Sequence, residues 1–450
     1  MRRCYLGLAI ALGSIAGCSG ASDDDGADIG AEATASALKS GTVGSVHTSG
    51  AIDPTNPFFL SLGINGRSCG SCHNPGGGWT MTAKLAQRLF DETDGTDTFF
   101  RPHDGANRPD ADVSTVDARR AAYSVALTRA TSRFTRTVPA TAEFTVEAVD
   151  DPYGFSTPAK FSNFRRAGSI ANTAKQVAIT WTGTPGDMMV KLQGIMNGAT
   201  KSHAQRATDI PVAMQIAGAQ FMLGLSFAQA TDKHAGSLSA DGALGGPANI
   251  ANQPFYVGIN ALGGDVITGA PFTNDSSTIF AAWRDLGGHG SAARHRAKIA
   301  HGEEVFSNLE FDITGVAGLN DALGQPVIKG RCTTCHNSPN IGGHSEFRLM
   351  NTGVADGSRR KADVPLVTVR HKTTGALLQS TDLGRGAASG LWADIGKFKA
   401  PMLRGVSARA PHFHDGSAAN LHEVLEFYKK RFGIQFRGDE DDLIAFLEAL

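Results

Sequence analysis

Apolar positions recur at helical spacing in several stretches of this chain and alternate in only one. Residues 295–306 (HRAKIAHGEEVF) read as an amphipathic helix. Leu421, Val424, Leu425 and Tyr428 follow i, i+3, i+4, i+7 spacing, and Asn420-x-x-Glu423 in front of them caps a helix that runs to about Lys430. Residues 439–450 form a last helix with acids at its positive end. Earlier, Ser114-x-x-Asp117 is a capping box for a helix through Ala130, and residues 188–205 read as another. Alternation is confined to 142–149, where Phe144, Val146 and Ala148 share one side of a short strand. The pattern predicts a mainly α fold with long loops and little β. Gly287-Gly288-His289-Gly290 marks a boundary between two parts.

Composition narrows the class. Of 450 residues 41% are apolar, enough for a sizeable core, while 54 glycines and only 19% charged residues indicate a loop-rich chain rather than long coiled helices. Lys and Arg number 42 against 43 Asp and Glu, so no basic field exists to hold nucleic acid. Arg2 and Arg3 precede an apolar run over 5–17, which is shorter than the roughly 20 residues a membrane-spanning helix needs. Residues 1–17 are therefore expected to be a signal peptide. The run ends Ile15-Ala16-Gly17-Cys18, which resembles a bacterial lipobox. Acylation of Cys18 would hold the protein on a membrane surface in the periplasm or cell envelope. Residues 18–50, rich in Ala, Ser, Gly and Asp, are expected to be a disordered tether.

Beyond Cys4 and Cys18, the cysteines are Cys69, Cys72, Cys332 and Cys335, all in one repeated motif. The copies are Cys69-Gly-Ser-Cys72-His73 and Cys332-Thr-Thr-Cys335-His336, the C-x-x-C-H of c-type haem attachment. Two thiols about one helical turn apart can form thioethers to the two vinyl groups, and the next histidine binds the iron. A disulfide or a zinc ribbon leaves the histidine after both pairs unexplained, and a ribbon also needs its pairs far closer in sequence. Two covalently bound haem c groups are expected. One falls in an N-terminal haem domain, 51–287, and the other in a C-terminal cytochrome c domain, 288–450. The second iron, held by His336, has Met350, Met402, His412, His414 and Tyr428 as candidate partners on its other side.

The chain resembles the bacterial dihaem cytochrome c peroxidase family, which includes the MauG-type enzymes. The likeness rests on both motifs, on Phe398-Lys-Ala-Pro-Met-Leu-Arg404-Gly-Val, on Ala410-Pro-His-Phe-His414-Asp-Gly and on Leu421 to Tyr428. In the first half it rests on Phe164-Arg-Arg-Ala-Gly-Ser-Ile-Ala-Asn172, Trp181-Thr-Gly and Ala199-Thr-Lys-Ser-His203-Ala-Gln205. The resemblance implies two cytochrome c-like haem domains and reduction of hydrogen peroxide at the His73 haem. Electrons would come from a periplasmic donor such as a small cytochrome c or cupredoxin, through the His336 haem and Trp181. Tyr428 stands where relatives carry an axial methionine, as in MauG-type enzymes, although its place in the apolar stripe also suits a core residue. Oxidation of a protein or organic substrate, or simple electron transfer, are the alternative activities.

Relatives place a catalytic glutamate about 20 residues past the tryptophan, a stretch that here holds no acid but does hold His203. His203 reads as the acid–base group, as a sixth iron ligand, or as a solvent-facing helix residue. Arg165, Arg166 and Arg404 are candidates to pair with haem propionates. Family members also carry a calcium bound by an asparagine and by backbone carbonyls. The corresponding position near Arg166 is basic here and Arg409 replaces the usual threonine, a departure from the calcium pattern. The number of subunits is not encoded in any of these motifs.

Overall fold

The computed structural model describes residues 34–450. Ala31–Leu450 forms one compact unit, and among the described residues no helix is long and apolar enough to cross a membrane. Cys18 and the expected signal peptide lie outside the described residues. About 33% of the described chain is helical and 17% is strand, so the architecture is mixed rather than mainly α with little β.

The helices form close to where caps and apolar stripes put them. Ser291–Asn308 begins directly after Gly290, and Met188–Ser202 is opened by the Asp187 side chain, which accepts from Val190 N. Leu421–Phe432 is capped by Asn420, whose side chain accepts from Glu423 N, while the Glu423 carboxylate accepts from Ala419 N. Glu440–Ala449 closes the chain with three acids in its first turn. The expected helix over 114–130 differs. Thr115 rather than Ser114 is its cap, and it divides at Tyr123 into Val116–Ala122 and Ser124–Arg129. At the division the Asn107 side chain donates to Ala121 O and Ser124 Oγ, a tertiary contact that competes with helix continuation.

Most strands carry no alternating pattern, for a physical reason. Phe161–Arg166 is buried along its whole length, so it shows no alternation. It pairs antiparallel with Thr131–Arg136. Leu225–Asp232 is a similar buried run, flanked by Gly41–His47 and by Gly236–Ser237. The expected tether therefore ends earlier than Gly50: Gly41–His47 is a strand with Val43 buried against Phe227 and Met222, held by its partner rather than by its own apolar content. Phe144–Asp150, the one strand that alternation predicted, pairs with Leu366–His371 from the other half of the chain.

Two cores lie beneath the sites described below. One gathers Phe58, Trp79, Phe221 and Phe227. The other packs Ser291–Asn308 on Glu440–Ala449 around Phe280, Trp283, Phe306 and Phe446. These two helices meet at Gly302, where a β-carbon would stand 1.9 Å from Asp442 O, so only glycine permits the approach.

Candidate haem-binding and acid–base site

Both Cys-x-x-Cys-His segments fold as a single tight turn, Cys69–Ser71 and Cys332–Cys335, with the histidine amide closing back onto the first cysteine carbonyl at 3.0 and 3.1 Å. That turn sets two thiols and an imidazole side by side. None of the four cysteines is in a disulfide. Burial pushes Cys69, Cys332 and Cys335 up to about 12 and Cys72 up to about 11, so they are thiols rather than thiolates.

Each histidine is oriented in the same way. His73 Nδ1 donates to Trp79 O at 3.1 Å and His336 Nδ1 donates to Gly342 O at 2.5 Å, both acceptors lying six residues further on. A carbonyl can only accept, so Nδ1 carries the proton and Nε2 keeps its lone pair. Both acceptors sit in the left-handed region, Trp79 at φ 59° and Gly342 at φ 71°, which turns their carbonyls back toward the ring. Burial pushes His73 down to about 4 and also lowers His336, leaving both neutral. Two free thiols and a neutral, aimed imidazole on one turn fit a covalently held haem. Among the described residues no group of three or more His, Cys, Asp or Glu is arranged to hold a bare metal ion.

Around the first motif the structure assembles a polar group that sequence reading found only in part. His203 ends the Met188–Ser202 helix, and its carbonyl accepts from Asn65 Nδ2 at 2.8 Å and Arg67 Nη1 at 3.4 Å. These residues lead directly into Cys69. His203 Nδ1 lies 2.6 Å from Asp104 Oδ2, and Arg67 Nη1 lies 2.5 Å from the other oxygen. His103 Nε2 is 3.2 Å from the shared oxygen. Burial pushes Asp104 up, but the hydrogen bonds of His103 and His203 and the charge of Arg67 outweigh it and hold the carboxyl well below the usual range. An ionised Asp104 must accept, so His203 Nδ1 donates and its Nε2 is free to take a proton. The ring is about one-third exposed and meets Phe134 edge-on at 5.6 Å. Asp104, Arg67 and His103 were missed because they are remote from His203 in sequence. A signal existed in His103-Asp104-Gly105, which repeats the His414-Asp415-Gly416 tripeptide of the C-terminal block.

The second motif has different company. Tyr428 packs on the core cluster that also takes in Cys332. Its ring stacks on Phe432 with an 8° angle at 6.1 Å and meets Phe427 edge-on at 5.0 Å. Burial, followed by the nearby thiols Cys335 and Cys332, raises its phenol. Met350 belongs to the small cluster that contains Cys335. Met402 is directed elsewhere, its sulfur 3.7 Å from the side-chain amides of both Asn172 and Gln176.

Trp181 Nε1 donates to Arg166 O at 2.8 Å, Trp181 O accepts from Lys399 N at 2.8 Å, and the ring meets His414 edge-on at 6.2 Å. His414 in turn stacks on Phe398 at 4.1 Å. The three arginines have different fates. Arg165 is held by both oxygens of Asp382 at 2.6 and 2.7 Å, in a pair that is almost wholly buried, so its fork of donors is already occupied. Arg166 donates one bond, to Met81 O at 2.8 Å, and its buried Nε has no partner. Arg404 donates to Asn340 O and Leu244 O, with Nη1 buried and unpartnered.

No family model matches the chain. Among characterised proteins, it is 35% identical over 136 residues to cytochrome-c peroxidase IdrP2 of Denitromonas iodatirespirans, covering 27% of this chain and 36% of that protein. It is 31% identical over 142 residues to cytochrome c551 peroxidase of Nitrosomonas europaea, covering 30% and 36%, and 36% identical over 88 residues to the methylamine utilization protein MauG of Methylophilus methylotrophus, covering 16% and 26%. The chain thus matches about a third of the length of the peroxidases and a quarter of MauG. A solved MauG-like protein associated with microbial copper homeostasis aligns over 88% of this chain and 86% of its own, with 16% identity and a TM-score of 0.38. Over these parts of its length the chain is similar in sequence to bacterial cytochrome-c peroxidases and to MauG, the family that its two Cys-x-x-Cys-His motifs and its C-terminal block resemble.

Proposed function

We propose that this chain is an exported c-type oxidoreductase with two covalent haems, one per half of the chain, that reduces hydrogen peroxide with electrons relayed from a periplasmic donor protein. The observation that carries the reading is the pairing of His203 with ionised Asp104 beside the first Cys-x-x-Cys-His turn. When bound, haem supplies an iron for peroxide and a conjugated ring for electrons. His203 Nε2 takes the proton from one peroxide oxygen and returns it to the other, a role worth about 10² to 10⁴ in rate. Asp104 keeps the proton on Nδ1 and the ring in place, and Arg67 keeps Asp104 ionised. Trp181 lies between the halves as the electron route, with its indole N–H anchored on Arg166 O. Cys18 carries the lipid that holds the protein at a membrane surface.

Stopped-flow mixing with peroxide tests the central claim. His203→Ala should slow peroxide cleavage about 10²-fold or more while leaving the resting haem spectrum nearly unchanged. A faster reaction with a newly high-spin spectrum would instead make His203 an iron ligand. Haem content is a separate test: the denatured protein should keep its colour and show the mass of two haems, and loss of all haem into acidified organic solvent would end the reading.

A second reading, MauG-like oxidation of a protein or organic substrate, is favoured by Tyr428, which packs beside the second motif where relatives carry methionine. Tyr428→Phe should alter the EPR signal of one haem. An unchanged signal would return Tyr428 to the core.

A further inference from the structure

Between the two motifs lies a set of cations that the proposed chemistry does not use, Arg166 buried and Lys399 and Arg409 half-buried. The Arg409 side chain packs over Gly78, in the loop that carries His73, with its Cγ 2.7 Å from where a Gly78 β-carbon would be. Its Nη2 donates to Met402 O at 2.8 Å. The next residue, Leu403, donates its amide to Ile341 O at 3.0 Å, in the loop that carries His336. Arg409 therefore touches the first motif loop and is linked to the second through Met402 and Leu403. Arg166 reaches the first loop at Met81 O, and its Nε is buried with no partner. Lys399, whose charge couples to that of Arg409, donates to Gln176 Oε1 at 2.5 Å and Ala178 O at 3.0 Å.

A buried guanidinium with an unpartnered nitrogen and a second cation beside it is costly unless an anion joins them. Burial and the Arg409 charge push Arg166 down to about 9 and Lys399 down to about 8. Burial, with Arg166 and Arg409, pushes the neighbouring His412 down to about 3, so it stays neutral. The Asp415 charge acts on Arg166 in the opposite sense, and among the described residues none of the three cations forms an ion pair. Arg165, next in sequence to Arg166, shows what a satisfied buried arginine looks like here, since Asp382 grips it at both nitrogens. Arg166, Lys399 and Arg409 have no such carboxylate.

We propose that Arg166, Lys399 and Arg409 form a carboxylate seat between the two motifs, filled by a propionate of a bound haem, and that the seat sets that haem's redox poise. This rests on the two-haem reading above. The missing counter-ion is then the ligand's own carboxylate, and guanidinium forks suit it. A fixed positive charge beside the ring favours the reduced iron, which carries one positive charge fewer, so the seat raises that haem's potential.

The test is spectroelectrochemical titration of the holoprotein, with haem content measured first. Arg409→Met should shift the reduction equilibrium of one haem about tenfold toward the oxidised form, which is about 59 mV for a one-electron couple. Arg409→Lys should restore most of the shift, and Lys399→Met, which removes an ammonium bonded to Gln176 Oε1 and Ala178 O, should repeat it if Arg409→Met does not fold. Added acetate or phosphate should leave the wild-type titration unchanged. A saturable response to either anion in wild type, lost in Arg409→Met, would assign the seat to a free anion and overturn the propionate. Full haem content with wild-type potentials in all three variants would overturn the seat and leave the two-haem reading standing, whereas absent haem would end that reading itself.

Discussion

The two Cys-x-x-Cys-His turns share one construction and differ in nearly everything around it. In both, a buried neutral histidine is aimed by a carbonyl six residues on, and in both that carbonyl belongs to a residue at positive φ. At the first motif the residue is Trp79, wholly buried, with its indole N–H on Ser45 Oγ at 2.8 Å. At the second it is Gly342, which adopts that conformation without strain. Beyond the turns, the first motif has both an aromatic core of Phe58, Trp79 and Phe221 and a set of ionisable groups, Arg67, Asp104, His103 and His203, whereas beside the second Tyr428 stacks on Phe432 and meets Phe427 edge-on. Groups that hold and move protons suit oxygen chemistry, while a packed aromatic surround suits electron storage. On the proposed assignment, the shared turn would hold the cofactor and the unshared polar groups would set the task.

The contrast can be broken by substitution. Asp104→Asn leaves Arg67 buried without its counter-ion and should cost about 3–5 kcal/mol at neutral pH, measured by urea unfolding. Because the folded-state value of Asp104 is depressed, its stabilising contribution is fully present above the ordinary carboxylate value and is lost as pH falls below about 4. The gap between wild type and variant should therefore narrow in acid; a constant gap from pH 7 to pH 3 would mean that Asp104 acts by packing alone.

Trp79→Ala empties a site in the core beside the first motif and should cost about 3–5 kcal/mol, read from the denaturant midpoint. A cost below about 1 kcal/mol would show that the indole does not hold the first loop. On the proposed assignment, Tyr428→Phe should change peroxide cleavage at the first haem less than threefold, against the roughly 10² expected of His203→Ala. Equal losses in stopped-flow traces would erase the division of labour. Gly342→Ala forces a β-carbon into the left-handed region and to 2.9 Å from Leu403 Cβ, for a cost of about 1–2 kcal/mol and a shifted potential at the second haem only. A shift at both haems would show that the two loops move as one.

The sequence alone specified what depends on neighbours in the chain. Two thiols and a histidine within five residues make the proposed haem-attachment chemistry local, so Cys69, Cys72, His73, Cys332, Cys335 and His336 could be named as candidates without a fold. The helices at 291–308, 421–432 and 440–449 were legible for the same reason, because caps and apolar stripes act within a few turns. The tertiary structure decided what depends on distant partners. Asp104 meets His203 across 99 residues, and Asp382 takes Arg165 across 217, occupying its guanidinium fork while the Nε of Arg166 beside it has no partner. Gly41–His47 becomes a strand only because Leu225–Asp232 supplies its hydrogen bonds. A charge or a strand edge is satisfied by whichever partner the fold brings near, and no spacing along the chain records that choice.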